Sequence, residues 1–304
     1  MDSSGKIWMN GKMVPFQDAK VHVLTHALHY STSVFEGIRC YDTPEGPAIF
    51  RLSDHVNRLF RSAKLYSMEM RYTRQQISDA ITETVRACGF GECYIRPLAY
   101  YGFGEMGLTP TPNPVDVSVA CWPWRMGESK AGKFSGARCM VSSWIRIDSR
   151  VQPVQAKAAA NYSNAALARV EALENGYDEA IMLNADGRVA EGSAENIFIC
   201  RDGAILTPPL STGCLNGITR DSVMQIAGAD GMDVTEYDLY RDDLYSADEV
   251  FMTGTAAEVK SVTQVDRVKI RDGRMGLVTK SLQKSFMDAA VGRDKRFRQW
   301  LTFV

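Results

Sequence analysis

A polar segment near the middle of the chain constrains the fold more than any other feature of the sequence. Residues 125–136, RMGESKAGKFSG, are rich in glycine and charge and have no hydrophobic periodicity, which is typical of a linker. The chain has 304 residues, more than one domain usually contains. We therefore predict an N-terminal domain over 1–124 and a C-terminal domain over 137–304, joined by a linker over 125–136.

The N-terminal part has the pattern of an α/β domain. Asn10-Gly11 interrupts segment 7–16 and predicts a β-hairpin, because this dipeptide suits the positive φ angles of a tight turn. One helix is predicted to begin at Ser53, and another to begin after a capping box that starts at Thr73. The further predicted strands are 33–41, 48–51, 93–101 and 115–122.

The C-terminal part is predicted to be rich in hairpins rather than in repeated strand–helix–strand units. Turn sequences such as NADG at 184–187 and RDG at 201–203 closely follow strand-like segments. Two helices are predicted, one over 161–174 and one from Ile218. The predicted strands are 140–144, 179–183, 189–199 and 250–253. The fold class is therefore mixed, α+β, with a smaller α/β domain followed by a larger hairpin-rich domain.

Composition argues against several function classes. The net charge is −1 and no basic run is present, so we expect no nucleic-acid partner. The longest apolar stretches are strand-sized and the N-terminus lacks a signal-peptide pattern, so we expect no membrane association and a cytoplasmic location. Seven cysteines occur singly, which favours reduced thiols. His22, His26 and His29 lie close together without an Asp or Cys, and we predict no metal site.

The segment around Lys157 suits covalent attachment of a planar aldehyde. Lys157 lies among small residues in AKAAANY, 156–162, so a flat cofactor can approach its amine closely. An isolated lysine in an alanine-rich segment is more often a solvated helix residue. The interpretation therefore depends on the segments that follow.

Three later segments suit the other parts of such a cofactor. A buried carboxylate at Glu191 would favour the protonated form of a pyridine ring, although a strand glutamate more often faces solvent. Segments 215–220 (LNGITR) and 254–257 (GTAA) offer backbone amides to a phosphate, the first at the start of a helix. Either segment is equally compatible with an ordinary loop.

Seven segments, in this order along the chain, resemble a known family. They are YSTSVFEGIR (30–39), HVNRL (55–59), YIR (94–96), AKAAANY (156–162), EGSAEN (191–196), LNGITRD (215–221) and GTAAE (254–258). Together they resemble the branched-chain aminotransferase family of fold type IV pyridoxal-phosphate (PLP) enzymes, over about residues 8 to 286. The resemblance implies a pseudo-barrel C-terminal domain, PLP as cofactor, and transamination between branched-chain L-amino acids and 2-oxoglutarate, with a role in amino-acid biosynthesis.

The resemblance also implies roles around the cofactor. Lys157 corresponds to the Schiff-base lysine and general base, and Glu191 to the partner of the pyridine nitrogen. Tyr162 corresponds to the tyrosine bonded to the ring hydroxyl oxygen, and Leu215 to the residue packed beneath the ring. The residues implied to bind the phosphate are Arg58, Ile218, Thr219 and Thr255.

The substrate side follows partly from strand geometry. Residues i and i+2 share a face, so Tyr94 and Arg96 point the same way, as do Phe35, Gly37 and Arg39. Each strand thus offers an apolar or aromatic group beside a cation, a mixture that accepts both an aliphatic side chain and the γ-carboxylate of glutamate. The resemblance places the α-carboxylate against Tyr94, Thr255 and Ala256, and the second carboxylate against Arg96.

The remaining implied substrate residues form an apolar wall of Phe35, Trp124 and Tyr162. Tyr30 and Leu108 are implied to enter from a neighbouring subunit, so we expect a homodimer or a trimer of dimers. Many bacterial relatives carry an aromatic residue about three positions after Pro123-Trp124, where this chain has Gly127. That difference predicts better acceptance of bulky oxo acids.

Other enzymes of the same fold type remain as alternatives. These are D-amino acid aminotransferase, (R)-selective amine transaminase and aminodeoxychorismate lyase, and the FEGIR and YIRP sequences favour the branched-chain type over them. A PLP-binding protein without turnover is the alternative from another class. It would require the loss of catalytic groups, yet Lys157, Glu191, Tyr162 and Arg58 are all present.

Overall fold

The computed structural model describes residues 5–124 and 136–304. In these residues the chain forms seventeen β-strands and seven α-helices. The strands are β1 (Lys6–Met9), β2 (Lys12–Pro15), β3 (Ser33–Phe35), β4 (Ile38–Tyr41), β5 (Ala48–Phe50), β6 (Cys93–Tyr101), β7 (Val115–Pro123), β8 (Ala137–Val141), β9 (Glu179–Leu183), β10 (Val189–Gly192), β11 (Asn196–Arg201), β12 (Ala204–Thr207), β13 (Val234–Glu236), β14 (Glu249–Gly254), β15 (Glu258–Val265), β16 (Val268–Lys269) and β17 (Leu301–Phe303). The helices are α1 (His26–Tyr30), α2 (Leu52–Leu65), α3 (Arg74–Cys88), α4 (Ala159–Glu174), α5 (Ile218–Ala229), α6 (Arg241–Ser246) and α7 (Leu277–Ala290).

Two compact units divide the described chain. The first contains 5–124 with Ala156–Ala160 and Ala289–Val304, and the second contains 136–155 and Asn161–Asp288. Two segments of the predicted C-terminal domain thus belong to the first unit. Except for Gly136, the predicted linker lies outside the described residues.

An eight-stranded sheet forms the first unit, in the order β17-β5-β4-β6-β7-β1-β2 with β3 paired to β6. Alternate residues of a strand face opposite sides of the sheet. Ile95 of β6 and Val117 of β7 lie in one buried cluster with Ile77 of α3, so the helices cover that face. Tyr94 and Arg96 point to the other face, where the candidate site lies.

Local signals in the first unit are confirmed. Strands β1 and β2 pair as the predicted hairpin, with positive φ angles of 49° at Asn10 and 88° at Gly11. Thr73 and Gln76 form the predicted capping box, which satisfies amide groups at the start of α3.

The single strand predicted over 33–41 is wrong. It is interrupted at Glu36-Gly37 and forms β3 and β4. The Glu36 side chain is fully buried in an ion pair with Arg58, and glycine follows where no side chain would fit. The pairing of β17 with β5 was not predicted, because no local signal connects segments so distant in the chain.

The second unit contains a nine-stranded sheet in the order β10-β9-β8-β15-β14-β11-β12-β13, with β16 paired to β15. Three hairpins, β9–β10, β11–β12 and β14–β15, are antiparallel. Strands β8 and β9 are parallel and α4 connects them, and strands β12 and β13 are parallel with α5 between them. The second unit therefore contains two strand–helix–strand units beside its hairpins, although it was predicted to be rich in hairpins rather than in such units. The strand predicted over 140–144 is Ala137–Val141, and the one over 189–199 is divided into β10 and β11.

No helix in the described part of the chain is long and apolar enough to cross a bilayer. All seven cysteines lie in that part and are present as thiols. His26 is buried, with its ring nitrogens 2.9 Å from Thr32 Oγ1 and 2.9 Å from the Gly107 carbonyl. These contacts give this histidine a structural role.

Candidate active site

Lys157 is fixed to the first unit through its main chain. Its N–H donates to the Ser62 hydroxyl at 3.0 Å, and its carbonyl accepts from the Phe35 N–H at 3.0 Å. The alanines on either side are buried in the core, and Ala158 forms a β-bridge with Val34. Small residues are needed here because the core leaves little room. Lys157 is therefore only half-buried at its side chain but held at its backbone, unlike a solvated helix lysine.

Three predicted substrate residues of the first unit, Phe35, Tyr94 and Arg96, lie together on one face of its sheet, and Phe35 lies beside Lys157. Lys157 Nζ lies 5.2 Å from the centroid of the Phe35 ring. The guanidinium carbon of Arg96 lies 4.8 Å from the same ring, 5.4 Å from the Tyr94 ring and 5.7 Å from the Trp122 ring. Aromatic faces stabilise a cation without neutralising it. Arg96 is thus a positive charge inside an aromatic wall.

Gly37 and Arg39 complete this face in different ways. A Cβ at Gly37 would lie 1.9 Å from the Tyr94 hydroxyl, so only glycine leaves room for that tyrosine. Arg39 is buried, donates to the Trp124 carbonyl at 3.3 Å and lies over the Tyr41 ring. Gly37 therefore permits the position of Tyr94, and Arg39 connects the sheet to Trp124.

Arg58 is engaged by a buried carboxylate. Its Nε and Nη2 donate to Glu36 at 2.7 and 2.8 Å, and His55 Nδ1 lies 2.7 Å from the same group. Burial by itself would raise the pKa of Glu36, but the Arg58 guanidinium and His55 outweigh it and hold that pKa far below its usual range. Burial, together with the nearby charges of Arg58 and Lys157, lowers the pKa of His55 despite its contact with Glu36. Arg58 therefore presents a guanidinium whose orientation is set by an ionised glutamate.

Glu191 lies in the second unit and is buried, so it is not a solvent-facing strand glutamate. A register shift between Val189 and Glu191 interrupts the regular pairing of β10 with β9. Its Oε2 accepts the Leu215 N–H at 3.0 Å and lies 3.5 Å from Asn196 Nδ2. Its Oε1 lies 2.8 Å from Arg146 Nε. The carboxylate is therefore held on both oxygens.

The Leu215–Thr219 segment is anchored next to Glu191. Asn196 Nδ2 donates to the Leu215 carbonyl at 2.8 Å, and a Cβ at Gly217 would lie 1.9 Å from Asn196 Oδ1. Helix α5 begins at Ile218 after the N-cap residue Gly217, which has no side chain to cap it. Its first amides are arranged as in helix termini that bind anions. Ile218 and Thr219 are both buried there.

The other predicted residues of the second unit lie on α4 and after β14. Tyr162 is half-buried on α4. Thr255 and Ala256 follow β14, the first half-buried and the second exposed. Gly127 lies outside the described residues.

Tyr30 and Leu108 are exposed in this chain, by 40% and 79%. Tyr30 ends α1, and its hydroxyl donates to the Met106 carbonyl at 3.2 Å. The two predicted residues thus belong to one surface region of the first unit. Their exposure is large for apolar side chains.

Four residues of these clusters were not predicted to have roles: Glu36, Trp122, Arg146 and Asn196. Glu36 lies inside the FEGIR segment, and the spacing of His55 and Arg58 by one helical turn is a signal for its partners. Trp122 lies near the Tyr94 ring, as Trp124 does, with ring centroids 5.1 and 5.5 Å from that of Tyr94. Nothing local distinguishes Arg146, because its partner is contributed by a distant strand.

Comparison with known proteins decides the family. The family model for amino-transferase class IV matches residues 33–265. The chain belongs to the class IV aminotransferase family. The match includes Lys157, Glu191, the Leu215–Thr219 segment and Thr255.

Relatives of known name extend over the whole chain. The branched-chain-amino-acid aminotransferase of Pseudomonas aeruginosa is 44% identical over 303 residues, which cover 100% of this chain and 98% of the relative. The enzyme of Escherichia coli K12 with the same name is 43% identical over 98% of this chain and 97% of its own length.

Solved structures of this class IV aminotransferase family agree. The T.th. branched-chain amino acid aminotransferase with pyridoxamine 5'-phosphate superposes with a TM-score of 0.96 at 48% identity, covering 99% of this chain and 98% of the other. The Escherichia coli enzyme gives a TM-score of 0.95 at 42% identity, covering 98% of each chain. Another structure of the T.th. enzyme contains N-(5'-phosphopyridoxyl)-L-glutamate. The mixed α+β fold expected from the resemblance is confirmed.

Proposed function

We propose that this chain is a PLP-dependent branched-chain-amino-acid aminotransferase that transfers the amino group of L-leucine, L-isoleucine or L-valine to 2-oxoglutarate. Its relatives carry that name over nearly their full lengths. The assignment of residues rests on the position of Lys157. Its main chain is hydrogen-bonded to Ser62 and Phe35, and the Phe35 ring also lies beside Arg96. Its products are branched-chain 2-oxo acids and glutamate.

The residues present fit PLP. The Lys157 amine, on a fixed backbone, suits the aldehyde of PLP. The Glu191 carboxylate suits the ring nitrogen, and the start of α5, where the N-cap residue is glycine, suits the phosphate. When bound, PLP supplies an electron sink for negative charge at the substrate α-carbon. Lys157 would hold the cofactor through its side-chain amine, and the same amine, when free, would move a proton to or from the substrate α-carbon. This makes Lys157 both anchor and general base.

The other residues assigned to the cofactor would hold its ring and phosphate and would polarise the ring. Glu191 would accept a hydrogen bond from the ring nitrogen, and its negative charge would favour the protonated ring. Tyr162 is assigned to the ring hydroxyl oxygen and Leu215 to the ring face. The phosphate is assigned to the guanidinium of Arg58, the first amides of α5 and a hydroxyl: Arg58, Ile218, Thr219 and Thr255. A guanidinium fork suits phosphate oxygens.

Substrate recognition follows from the mixed character of the sheet face. Phe35, Trp124 and Tyr162 provide apolar contacts for an aliphatic side chain. Arg96 provides the charge for the γ-carboxylate of glutamate, and its aromatic surroundings also accept a leucine side chain. The substrate α-carboxylate is assigned to Tyr94, Thr255 and Ala256, while Gly37 and Arg39 keep Tyr94 and Trp124 in place.

Lys157→Ala tests the assignment directly. We expect the purified variant to fold but to lose both the visible absorbance of the bound cofactor and catalytic turnover. The reason is that alanine at position 157 has no side-chain amine to bind the cofactor. The exposed Lys64→Ala, on α2, is the matched control and should behave as the parent. Substantial turnover in Lys157→Ala would remove the central residue from its role.

A panel of amino donors tests the substrate class. L-leucine and L-valine should react much faster than D-alanine, with an aromatic L-amino acid in between. Fast reaction of D-alanine would instead favour a D-amino acid aminotransferase.

We also infer a homodimer or a trimer of dimers, working in the cytoplasm, with Tyr30 and Leu108 contributed across subunits. The exposure of both side chains supports this arrangement. Light scattering during size-exclusion chromatography tests the oligomer, and cell fractionation tests the location. A monomeric active enzyme would contradict the shared site.

A further inference from the structure

Glu191 faces a buried arginine that no part of the proposed mechanism uses. Arg146 Nε lies 2.8 Å from Glu191 Oε1, and the side chains are only 7% and 9% exposed. Two ionised groups withdrawn from water to this degree are costly unless each satisfies the other. The burial of this ion pair therefore needs an explanation other than the balance of surface charge.

Arg146 is itself fixed from two directions. Its backbone N–H donates to the Leu183 carbonyl of β9 at 2.7 Å, and its Nε also lies 3.4 Å from the Gly213 carbonyl. The guanidinium therefore has a set position beside Oε1. The other oxygen of Glu191 is reached by the Leu215 amide, which belongs to the segment assigned to the ring face. The carboxylate is thus oriented by a charge on one side and by that segment on the other.

We propose that Arg146 is a positioning residue that keeps the Glu191 carboxylate ionised and aimed for the ring nitrogen of the cofactor. The inference rests on the proposed function. A carboxylate this deeply buried, with only neutral neighbours, would take up a proton and could no longer accept one shared by the ring. The permanent charge of a guanidinium prevents this, since it does not titrate in proteins.

The same arrangement sets a limit on Glu191. When the ring is protonated, the carboxylate lies between two cations, and its attraction to the ring is shared with Arg146. Arg146 therefore keeps Glu191 ionised but weakens the attraction between the Glu191 carboxylate and the protonated ring. A purely structural arginine would instead connect β9 and the Gly213 loop, with no consequence for the cofactor.

The first test measures cofactor binding without turnover. We expect Arg146→Gln apoprotein to bind added PLP at least about ten-fold more weakly than the parent, because without the guanidinium the buried Glu191 carboxylate would take up a proton and lose its charge toward the ring nitrogen. Arg146→Lys, which keeps the charge, should recover much of that affinity. Arg188→Gln is the matched control, since it removes the Asp186 and Asp238 ion pairs from the same hairpin that carries Glu191. Its PLP affinity should equal that of the parent.

The second test is a double-mutant cycle with Glu191→Gln, read in both PLP affinity and kcat. If Arg146 acts through Glu191, Arg146→Gln adds little to the loss already caused by Glu191→Gln. Losses that simply add would overturn the inference, as would a folded Arg146→Gln with parental PLP affinity. If Arg146→Gln does not fold, the same cycle is run with Arg146→Lys, and additive losses overturn the inference there too. Turnover by Lys157→Ala would refute the proposed function instead, so the two failures are distinguishable.

Discussion

The surroundings of Arg96 would explain how the proposed site accepts two kinds of side chain. Its guanidinium lies over the rings of Phe35, Tyr94 and Trp122. In the proposed site, an aliphatic substrate would meet the rings, whereas a γ-carboxylate would meet the charge. Arg96→Leu should therefore lower kcat/KM for glutamate and 2-oxoglutarate by roughly a hundred-fold, because truncating one partner of a buried charge pair costs several kcal/mol. Leucine and its oxo acid should lose far less.

The ratio of the two efficiencies is the measurement that decides this prediction. Arg71→Leu, an exposed arginine of the same unit, is the control and should leave the ratio unchanged. Equal losses on both substrate types after Arg96→Leu would make Arg96 structural. Arg39 would then be the leading candidate, although its contacts with Trp124 and Tyr41 already give it a structural role.

Glu36 is a second residue whose burial has a measurable consequence. Its carboxylate accepts from Arg58 and contacts His55, and Glu36→Gln leaves the Arg58 charge without its partner. We expect a loss of about 3–5 kcal/mol in the free energy of unfolding at neutral pH, as for other broken buried pairs. Glu45→Gln, which removes an exposed pair with Arg298, should change stability little.

The pH dependence of that loss has a definite sign. The folded pKa of Glu36 is lowered from an ordinary value of 4.5, so its contribution is complete above that value and declines as the pH falls toward the folded pKa. The difference in unfolding free energy between parent and Glu36→Gln, measured in urea, should shrink below about pH 4.5. A difference that grows in acid would contradict an ionised Glu36.

Sequence singles out the residues proposed to carry chemistry more readily than the residues that hold them. Lys157 and Glu191 lie in segments whose local composition already suggests a role. Arg146 reaches Glu191 only because of the register of the second sheet, and Asn196 reaches Leu215 only because β11 lies beside that loop. Contacts of this kind depend on tertiary pairing, which a linear pattern does not contain.

Among the helices, a cap formed by neighbouring residues was predicted, whereas a cap formed by a distant residue was not. The capping box of α3 involves Thr73 and Gln76, three residues apart, and was predicted. The start of α7 is held by Glu249 of β14, whose oxygens accept from the amides of Val278 at 3.0 Å and Thr279 at 2.8 Å. That carboxylate is 29 residues away from Val278. No local signal could reveal it.

Glu249→Ala tests this distant cap. Thr279 Oγ1 also donates to Glu249 at 2.7 Å, so the variant leaves two amides and one hydroxyl without their acceptor. We expect a loss of about 2–4 kcal/mol in unfolding free energy, since the hydrogen bonds to a charged group are lost together. Thr73→Ala, at the α3 capping box, provides a comparison of about 1 kcal/mol. A smaller loss from Glu249→Ala than from Thr73→Ala would show that α7 does not depend on this carboxylate.

Strand bounds were predicted well at one hairpin and poorly at another. The β11–β12 hairpin turns at Asp202-Gly203, both with positive φ, as the RDG sequence indicates. The break between β10 and β11 lies in the polar segment 191–196, where the Gly192 N–H donates to the Glu195 carbonyl at 2.7 Å and Ser193 hydrogen-bonds to Glu179. The prediction of one strand over 189–199 passed over this polar segment.

At the scale of the whole molecule, two short segments distant in sequence belong to the first unit. Ala156–Ala160 and Ala289–Val304 belong to the first unit, where β17 pairs with β5 and the Arg51 amide donates to the Trp300 carbonyl at 2.6 Å. A segment of five residues and a short final strand carry too little pattern to be assigned by composition. Lys157 lies in the first of these segments, so the structure places it with the substrate face of the first unit.

The last prediction tests whether Tyr30 and Leu108 contribute to the site of the partner subunit. One variant chain carries Lys157→Ala, and a second carries Tyr30→Ala with Leu108→Ala, exposed side chains proposed to enter the partner's site. Each alone should lose most activity, the second by roughly ten-fold since apolar contacts discriminate modestly. Mixed dimers of the two contain one site with Lys157 from one chain and Tyr30 and Leu108 from the other.

That site is intact only if the two side chains act across subunits. An equal mixture, unfolded and refolded together or co-expressed, should then reach about a quarter of parental activity, because half of the dimers are mixed and each has one intact site. If Tyr30 and Leu108 serve their own subunit, no intact site forms and the mixture stays at the average of the two variants. Mixing the variants without subunit exchange is the control, since it should give that average in either case. An average value after verified exchange would contradict the shared site while leaving the role of Lys157 untouched.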